Sequence, residues 1–276
     1  MTGPGLTITR DGATVALRRA PWDEPCLGVP VIELLEVTGE SAAALDAALG
    51  AVDELCASDQ IGLVTTRVAE RAQPVVAALI RAGYCHVETS YPLRLAPLDV
   101  PGALRRGLAI SPAVRADANA LVDLAHSFEH SRYLEDQRIH PARGRARTAQ
   151  WIVDSLSNGD EVMVARRHAA IAAVMSWRRS GDVVRLLLGG TAPDAGPIAP
   201  MFWAAFVLEL AGRGVRAIET RVSAANDAAL RLHRALGFMA GEPDLGMTKI
   251  YPWGAAIVRT SPASAPRADP DASRTT

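Results

Sequence analysis

The chain has little cysteine, few aromatic residues and almost no net charge, and each shortage removes a class of function. Three cysteines occur in 276 residues: Cys26, Cys56 and Cys85. They are odd in number and lack metal-ligand spacing, which argues against a disulfide framework or a structural zinc site. Buried free thiols in a reducing compartment are the expectation. Aromatic residues make up 5% and the formal net charge is −1. No global field draws the chain to nucleic acid or to an anionic membrane. The first ten residues contain no basic stretch followed by an apolar one, and apolar runs such as residues 207–210 are far too short to span a bilayer. A cytoplasmic protein without nucleic-acid or membrane partners is expected. A serine or cysteine nucleophile motif, a Walker A loop and a GxGxxG turn are all missing. His126 and His130 have the spacing of one helix face, but no carboxylate or cysteine motif completes a ligand set, so no metal is expected.

Apolar residues make up 49% and charged residues 21%, the composition of a soluble globular protein. Residues 96–106, APLDVPGALRR, break the pattern with two prolines and a glycine. This divides the chain into an N-terminal half, residues 1–100, and a second domain, residues 107–252. Residues 253–276 are expected to be a disordered tail, because 261–276, SPASAPRADPDASRTT, has nothing to bury. Before the break, strands are expected over 29–37, 61–68 and 84–95, with helices over 41–56 and 74–82. After it, the order expected is β-α-α-β-β-β-α-β-α-β, with Ser111-Pro112 as the cap and first residue of its first helix. The halves echo each other. Residues 61–84 align without a gap with 215–238 at an offset of 154, the distance from Thr66 to Thr220. Thr66-Arg67-Val68 meets Thr220-Arg221-Val222, Gly83 meets Gly237, and Tyr84 meets Phe238. A duplicated unit follows.

Residues 223–238, SAANDAALRLHRALGF, are the most informative. An Asn opens a helix, a polar residue lies late in it, and Leu236-Gly237-Phe238 closes it. This resembles the closing motif of the GNAT superfamily of acyl-CoA N-acyltransferases, and the order of elements after Leu108 is similar to that fold. The resemblance implies an α/β GNAT fold: a mixed, mostly antiparallel sheet, splayed open and flanked by helices, here preceded by a degenerate half-copy. It also implies acetyl-CoA as co-substrate, lying in the opening. The pantetheine would pair with the strand edge at Leu188 and Gly189, whose amides would stabilise the oxyanion. The diphosphate would rest on the next helix start, at Gly196, Ile198 and Ala199. Asn226 would contact the ligand or simply cap its helix. His233 holds the position where the family often has a Tyr that protonates the departing thiolate; the plainer alternative is an exposed helix histidine. The phosphate loop departs from the family: with Ala199 as its last position, Asp194 and Pro197 stand where a basic or amide residue and a glycine are usual, and a shortened loop anchored on Pro193 is an equal alignment.

Residues 128–151, FEHSRYLEDQRIHPARGRARTAQW, bring five arginines together between two helices. Residues 131–152, from Ser131-Arg132-Tyr133 to Trp151-Ile152, resemble bacterial sugar-nucleotide amine acetyltransferases of the dTDP-fucosamine type, as do Trp22-Asp23 and Gly28 more loosely. That likeness implies an acceptor site at Arg132, Tyr133 and Trp151 and a nucleotide-linked amino sugar as the amine. The general base stays open between Glu129, His130 and a water chain. The N-terminal copy should carry no chemistry, since Asn226 meets Ala72 and His233 meets Leu79 at the 154 offset. A homodimer is one assembly the sequence allows. The competing reading is a catalytically silent GNAT fold that binds a ligand or partner.

Overall fold

Local sequence explains most of the elements in the computed structural model, which describes residues 5–104 and 108–259. The chain opens on a hairpin, β1 (Leu6–Arg10) and β2 (Ala13–Arg19), joined by Asp11-Gly12 with φ of 48° and 86°. Those left-handed angles are what a two-residue hairpin turn needs. Then come α1 (Glu24–Leu27), β3 (Val31–Thr38), α2 (Ala42–Ser58), β4 (Leu63–Ala69), α3 (Gln73–Arg81) and β5 (Cys85–Leu95). Ser41 caps α2, its Oγ accepting the Ala44 N–H at 3.1 Å. Beyond the break lie β6 (Ile110–Pro112), α4 (Ala118–His126), α5 (Arg132–Glu135), α6 (Pro141–Ser157), β7 (Glu161–Arg167), β8 (Ala170–Ser180) and β9 (Val183–Thr191). A 3-10 turn, Pro193–Ile198, leads into α7 (Ala199–Gly212). The chain then runs through β10 (Ala217–Ser223), α8 (Asp227–Ala235), β11 (Met239–Ala240) and β12 (Asp244–Ile250).

Three expectations need correction. Ser111-Pro112 does not start a helix. Both residues belong to β6, paired with Val164 and Met163, and the helix begins later, after a 3-10 turn in which Asp117 accepts the Val114 N–H at 2.8 Å. The expected tail is packed over residues 253–259. Pro252–Ile257 forms a 3-10 turn, and Ile257 is fully buried against Leu27 and Tyr133, because an apolar residue there closes the gap under α5. The expectation for 260–276 lies outside the described residues. Finally, Pro193–Gly212 is apolar and long enough to cross a membrane by length and composition. Its Phe202, Trp203, Phe206, Val207 and Leu210 are instead buried in the sheet's core, beside Trp177.

Among the described residues the strands form one sheet, in the order β1-β2-β3-β4-β12-β5-β10-β9-β8-β7-β6, with β11 paired to β5. The break at residues 96–106 is therefore not a break in the sheet. β12, from the end of the chain, runs between β4 and β5 of the first half. β5 in turn pairs with β10 and β11 of the second half. Shifting by 154 residues turns each ladder into the other. Ala69 opposite Asp244 becomes Ser223 opposite Ser90. Cys85 opposite Thr248 becomes Met239 opposite Arg94. Gly83 and Gly237 both end their helices at φ of 86° and 92°. The duplicated unit is real, and the copies have exchanged their last strands about a pseudo-two-fold axis. One consequence is shared stability. Met247 of β12 is fully buried in the first half's core, among Val64, Leu79 and Tyr84. Met247→Ala should cost about 2–5 kcal/mol. Urea unfolding followed by tryptophan fluorescence, to which four of the five tryptophans contribute from residues 151–253, should shift by the same amount as far-UV circular dichroism. Two separate transitions would contradict the shared sheet.

Candidate active site

β9 and β10 run parallel only at their start, where Val183, Val184 and Arg185 face Ala217, Ile218 and Glu219. Past Glu219 the two strands share no rungs. β10 continues against β5 as far as Ser223, and β9 continues against β8 as far as Thr191. A wedge opens between them, edged by residues 186–189. A bulge at Leu187, where Trp177 faces Leu186 and Ser176 faces Leu188, twists β9 at the mouth of the wedge. Gly189 and Gly190 are there because the two sheet faces are full. A Cβ on Gly189 would lie 2.6 Å from Met175 Sδ, and one on Gly190 2.4 Å from the Phe128 ring.

The expected cradle at the next helix is less generous. The Ala195 and Ala199 amides already donate to Ala192 and Gly196 within the 3-10 turn. Pro197 and Pro200 have no N–H to offer. Asp194 is exposed and ion-paired to Arg167. Gly196 and Ile198 stand in this turn, Gly196 exposed and Ile198 half-buried. Asn226 is the N-cap of α8, its Oδ1 accepting the Ala229 N–H at 3.0 Å.

On the face of the sheet opposite α7 and α8, α5 covers a polar chamber whose members the sequence reading missed. Ser223, the last residue of β10, donates its Oγ–H to Glu135 Oε2 at 2.9 Å. Burial raises the Glu135 pKa above the ordinary carboxylate value, more than the Ser223 bond lowers it. Below it, Ser90 stands opposite both Ser223 and Asp244, and Glu88 lies two residues along β5 on the same face. Arg67 Nη2 reaches Glu88 Oε2 at 2.8 Å. Gly246, between them in register, has no side chain to obstruct; a Cβ there would come within 3.1 Å of Glu88. Mixed charged residues in the alternation of β4 and β5 were the only sequence signal for this chamber.

The expected acceptor residues do not converge. Arg132 donates to Thr65 Oγ1 at 3.1 Å and lies 3.5 Å from Glu33. Burial acts to raise the Glu33 pKa, but Arg132 and Arg18 outweigh it and hold it low. Tyr133 turns away, its hydroxyl donating to Asp23 Oδ2 at 2.5 Å, and Asp23 also pairs with Arg147. The Arg147 guanidinium lies 5.4 Å over the Trp151 ring. Tyr133 and Arg147 thus fasten α5 and α6 to Asp23 at the start of α1, and Trp151 lies under the Arg147 guanidinium. Arg138 pairs with Asp136 at 2.8 Å, and Arg143 donates to the Cys26 carbonyl. An open groove of about 510 Å³ between α1, α4 and α6, lined by Cys26, His126 and Gln150 among others, lies away from the wedge and contains none of the expected site residues. Among the described residues, no three His, Cys, Asp or Glu side chains converge as metal ligands.

No family model matches the chain, and no curated protein matches it significantly. Solved structures do. A functionally unknown conserved protein from Staphylococcus epidermidis superposes with a TM-score of 0.62 at 11% identity, over 89% of this chain and 94% of that one. A GCN5-related N-acetyltransferase from Kribbella flavida gives 0.55 at 13%, over 89% of each. A tandem GNAT protein from the clavulanic acid biosynthesis pathway gives 0.56 at 15%, over 87% and 79%. The chain has the GNAT fold. At these identities the likeness extends to the fold alone, and the sugar-nucleotide subtype gains nothing from it.

Within the GNAT fold, His233 occupies neither of its expected settings. It is 4% exposed, wedged between Trp203 and Phe238, with ring centroids 6.1 and 4.8 Å away. Nδ1 lies 2.7 Å from the Ala229 carbonyl, which can only accept, so that nitrogen carries the proton. Nε2 accepts from the Trp203 indole at 3.3 Å. Burial lowers the pKa. With both nitrogens engaged and the charged form disfavoured, no ring proton is free for a departing thiolate. The geometry gives His233 a packing role, tying α8 to α7. His233→Phe should strand the buried indole N–H and cost about 1–3 kcal/mol. A depressed folded-state pKa gives stability that is complete above the unfolded value of 6.5 and lost as pH falls from there toward the folded value. Urea titrations from pH 7 to about 5 should show that this component, present in wild type, is missing from His233→Phe.

Proposed function

We propose that the protein is an N-acyltransferase, moving an acyl group, acetyl in the first instance, from acyl-CoA to a primary amine on a small acceptor. One observation carries this reading. The wedge between β9 and β10 opens where Ser223, the last residue of β10, holds the half-buried carboxylate of Glu135. A strand edge with unpaired peptide groups suits an amide-bearing arm. A carboxylate beside it can take the proton an ammonium must lose before it attacks.

Acetyl-CoA supplies an activated thioester when bound. Residues 186–189 hold its amide-bearing arm along the β9 edge, and the starts of α7 and α8, at Ile198 and Asn226, flank its path. The proline-interrupted turn at the start of α7 gives the diphosphate few amide donors, so the strand edge provides most of the grip. Glu135 takes the role of base left open between Glu129, His130 and water. His130 Nδ1 lies 3.6 Å from Glu135 Oε1, close enough to steady its charge and too far for a hydrogen bond. The nucleotide-linked amino sugar read from the sequence needs guanidinium groups for its diphosphate. Arg132, Arg138 and Arg147 are already committed to Glu33, Asp136, Asp23 and Asp154. A small amine without a diphosphate suits the chamber better. The reading places the reaction in the cytoplasm, with a small-molecule partner and no nucleic acid or membrane. The second reading, a silent fold that binds a ligand or partner, has the poor phosphate turn on its side.

Calorimetric titration separates the two. Acetyl-CoA should bind with micromolar to sub-millimolar Kd, about 5–8 kcal/mol. S-acetylpantetheine should keep that affinity within about tenfold, because the turn before α7 adds little. Thiol release on adding primary amines completes the test. Absence of heat with either thioester leaves the silent fold.

A further inference from the structure

Three buried polar atoms in the chamber under α5 have no hydrogen-bond partner: Arg67 Nε, Ser90 Oγ and Glu135 Oε1. A native interior rarely leaves such atoms unmatched, and each costs about 1–3 kcal/mol unless something fills the place. The pseudo-two-fold axis shows why they lie together. At the 154 offset Arg67 corresponds to Arg221 and Ser90 to Asp244, and in the second half Arg221 pairs directly with Asp244. The first half has the same strand geometry with a serine where the carboxylate stands. Arg67 therefore lacks the partner that its mate has, and only its Nη2 finds Glu88 from the side. Ser90 is fully buried, opposite Ser223 in register. Ser223 holds Glu135 over it through Oε2, which leaves Oε1 without a hydrogen bond and only His130 Nδ1 near it, at 3.6 Å. The chamber thus presents a guanidinium N–H and a hydroxyl at one side and a carboxylate oxygen at the other.

We propose that this chamber is the acceptor subsite and that it takes a small amino carboxylate: the carboxylate on Arg67 Nε and Ser90 Oγ, the ammonium on Glu135 Oε1. The ligand's carboxylate supplies what Asp244 supplies to Arg221. Its ammonium supplies a hydrogen-bonded cation for Glu135, since Arg67 and Arg132 are paired with Glu88 and Glu33 and His130 Nδ1 stays 3.6 Å from Oε1. Loss of one proton from the ammonium to Glu135 then leaves a neutral amine beside the wedge, and the protonated carboxyl keeps its hydrogen bond from Ser223.

This assignment deepens the acyltransfer reading and rests on it for the word acceptor, but binding tests it separately. The probes are the coded amino acids, β-alanine and γ-aminobutyrate, titrated calorimetrically without any thioester, with n-butylamine and butyrate as single-charge controls. At least one amino carboxylate should bind about tenfold or more tightly than either control. Ser90→Ala and Glu135→Gln should each weaken it by about tenfold or more. Ser90→Ala removes a single oxygen and so guards against loss of the fold, which circular dichroism checks. Amino carboxylates that bind no better than n-butylamine, or a Kd unchanged within about twofold in both variants, would overturn the subsite and leave the chamber to water. Binding without acetyl transfer would keep the subsite and sink the acyltransfer reading. Transfer to an amine whose KM ignores both variants would do the reverse.

Discussion

The exchange of last strands between the two copies is the constraint on which the rest depends. Each copy lends its strand to the other, so that β12 lies between β4 and β5, and β5 lies between β12 and β10. Antiparallel ladders then run unbroken from β4 through β12 and β5 to β10, and no sheet edge is left bare at the centre. The large β4–β12–β5 surface needs apolar cover on one side, which α2 and α3 provide. On the other side, under α5, it carries the buried Glu88, Ser90 and Thr248 and the half-buried Arg67. Burying that much polar surface requires partners, and the ion pairs Arg67–Glu88, Arg132–Glu33 and Arg138–Asp136 supply them.

A symmetric scaffold has thereby acquired asymmetric chemistry. Its strand registers repeat at 154 residues, yet the chemically capable positions do not. Ala69 stands where Ser223 holds Glu135, Ala72 stands where Asn226 caps α8, and Leu79 stands where His233 receives the indole of Trp203. α4, α5 and α6 all come from the second half, and there Ser223 holds the Glu135 carboxylate beside the wedge between β9 and β10. The first half is not a bystander, because Arg67, Glu88 and Ser90 form the floor of the chamber. The active surface is a joint product of both copies.

Much of this was legible from residue pattern, and the exceptions have physical causes. Strong apolar periodicity and the Asn226 and Leu236-Gly237-Phe238 signals placed the second half's helices and strands within a few residues, and the 154 offset revealed the duplication. The β1–β2 hairpin was missed although Asp11-Gly12 between alternating residues signals it. Ser111-Pro112 misled because proline is as acceptable in a short edge strand as at a helix start. The strand exchange leaves no local trace, since β12 looks the same whichever β4 it joins. The site was harder still. An arginine-rich stretch reads as a binding surface, but Asp23, Glu33, Asp136 and Asp154, scattered along the sequence, claim the guanidinium groups of Arg132, Arg138 and Arg147. His233 kept its family position and lost its free proton to Ala229 and Trp203, contacts that only tertiary packing creates. Ser90 and Arg67 carry no motif at all; they gain meaning from what stands opposite them.

The central claim is that the wedge between β9 and β10 holds an acyl thioester along a free strand edge. Residue-resolved amide hydrogen exchange with and without acetyl-CoA tests it most directly. The account predicts slowed exchange concentrated in residues 186–189, with a smaller effect at the start of α7. Unchanged exchange along β9, or protection confined to the groove between α1, α4 and α6, would contradict it.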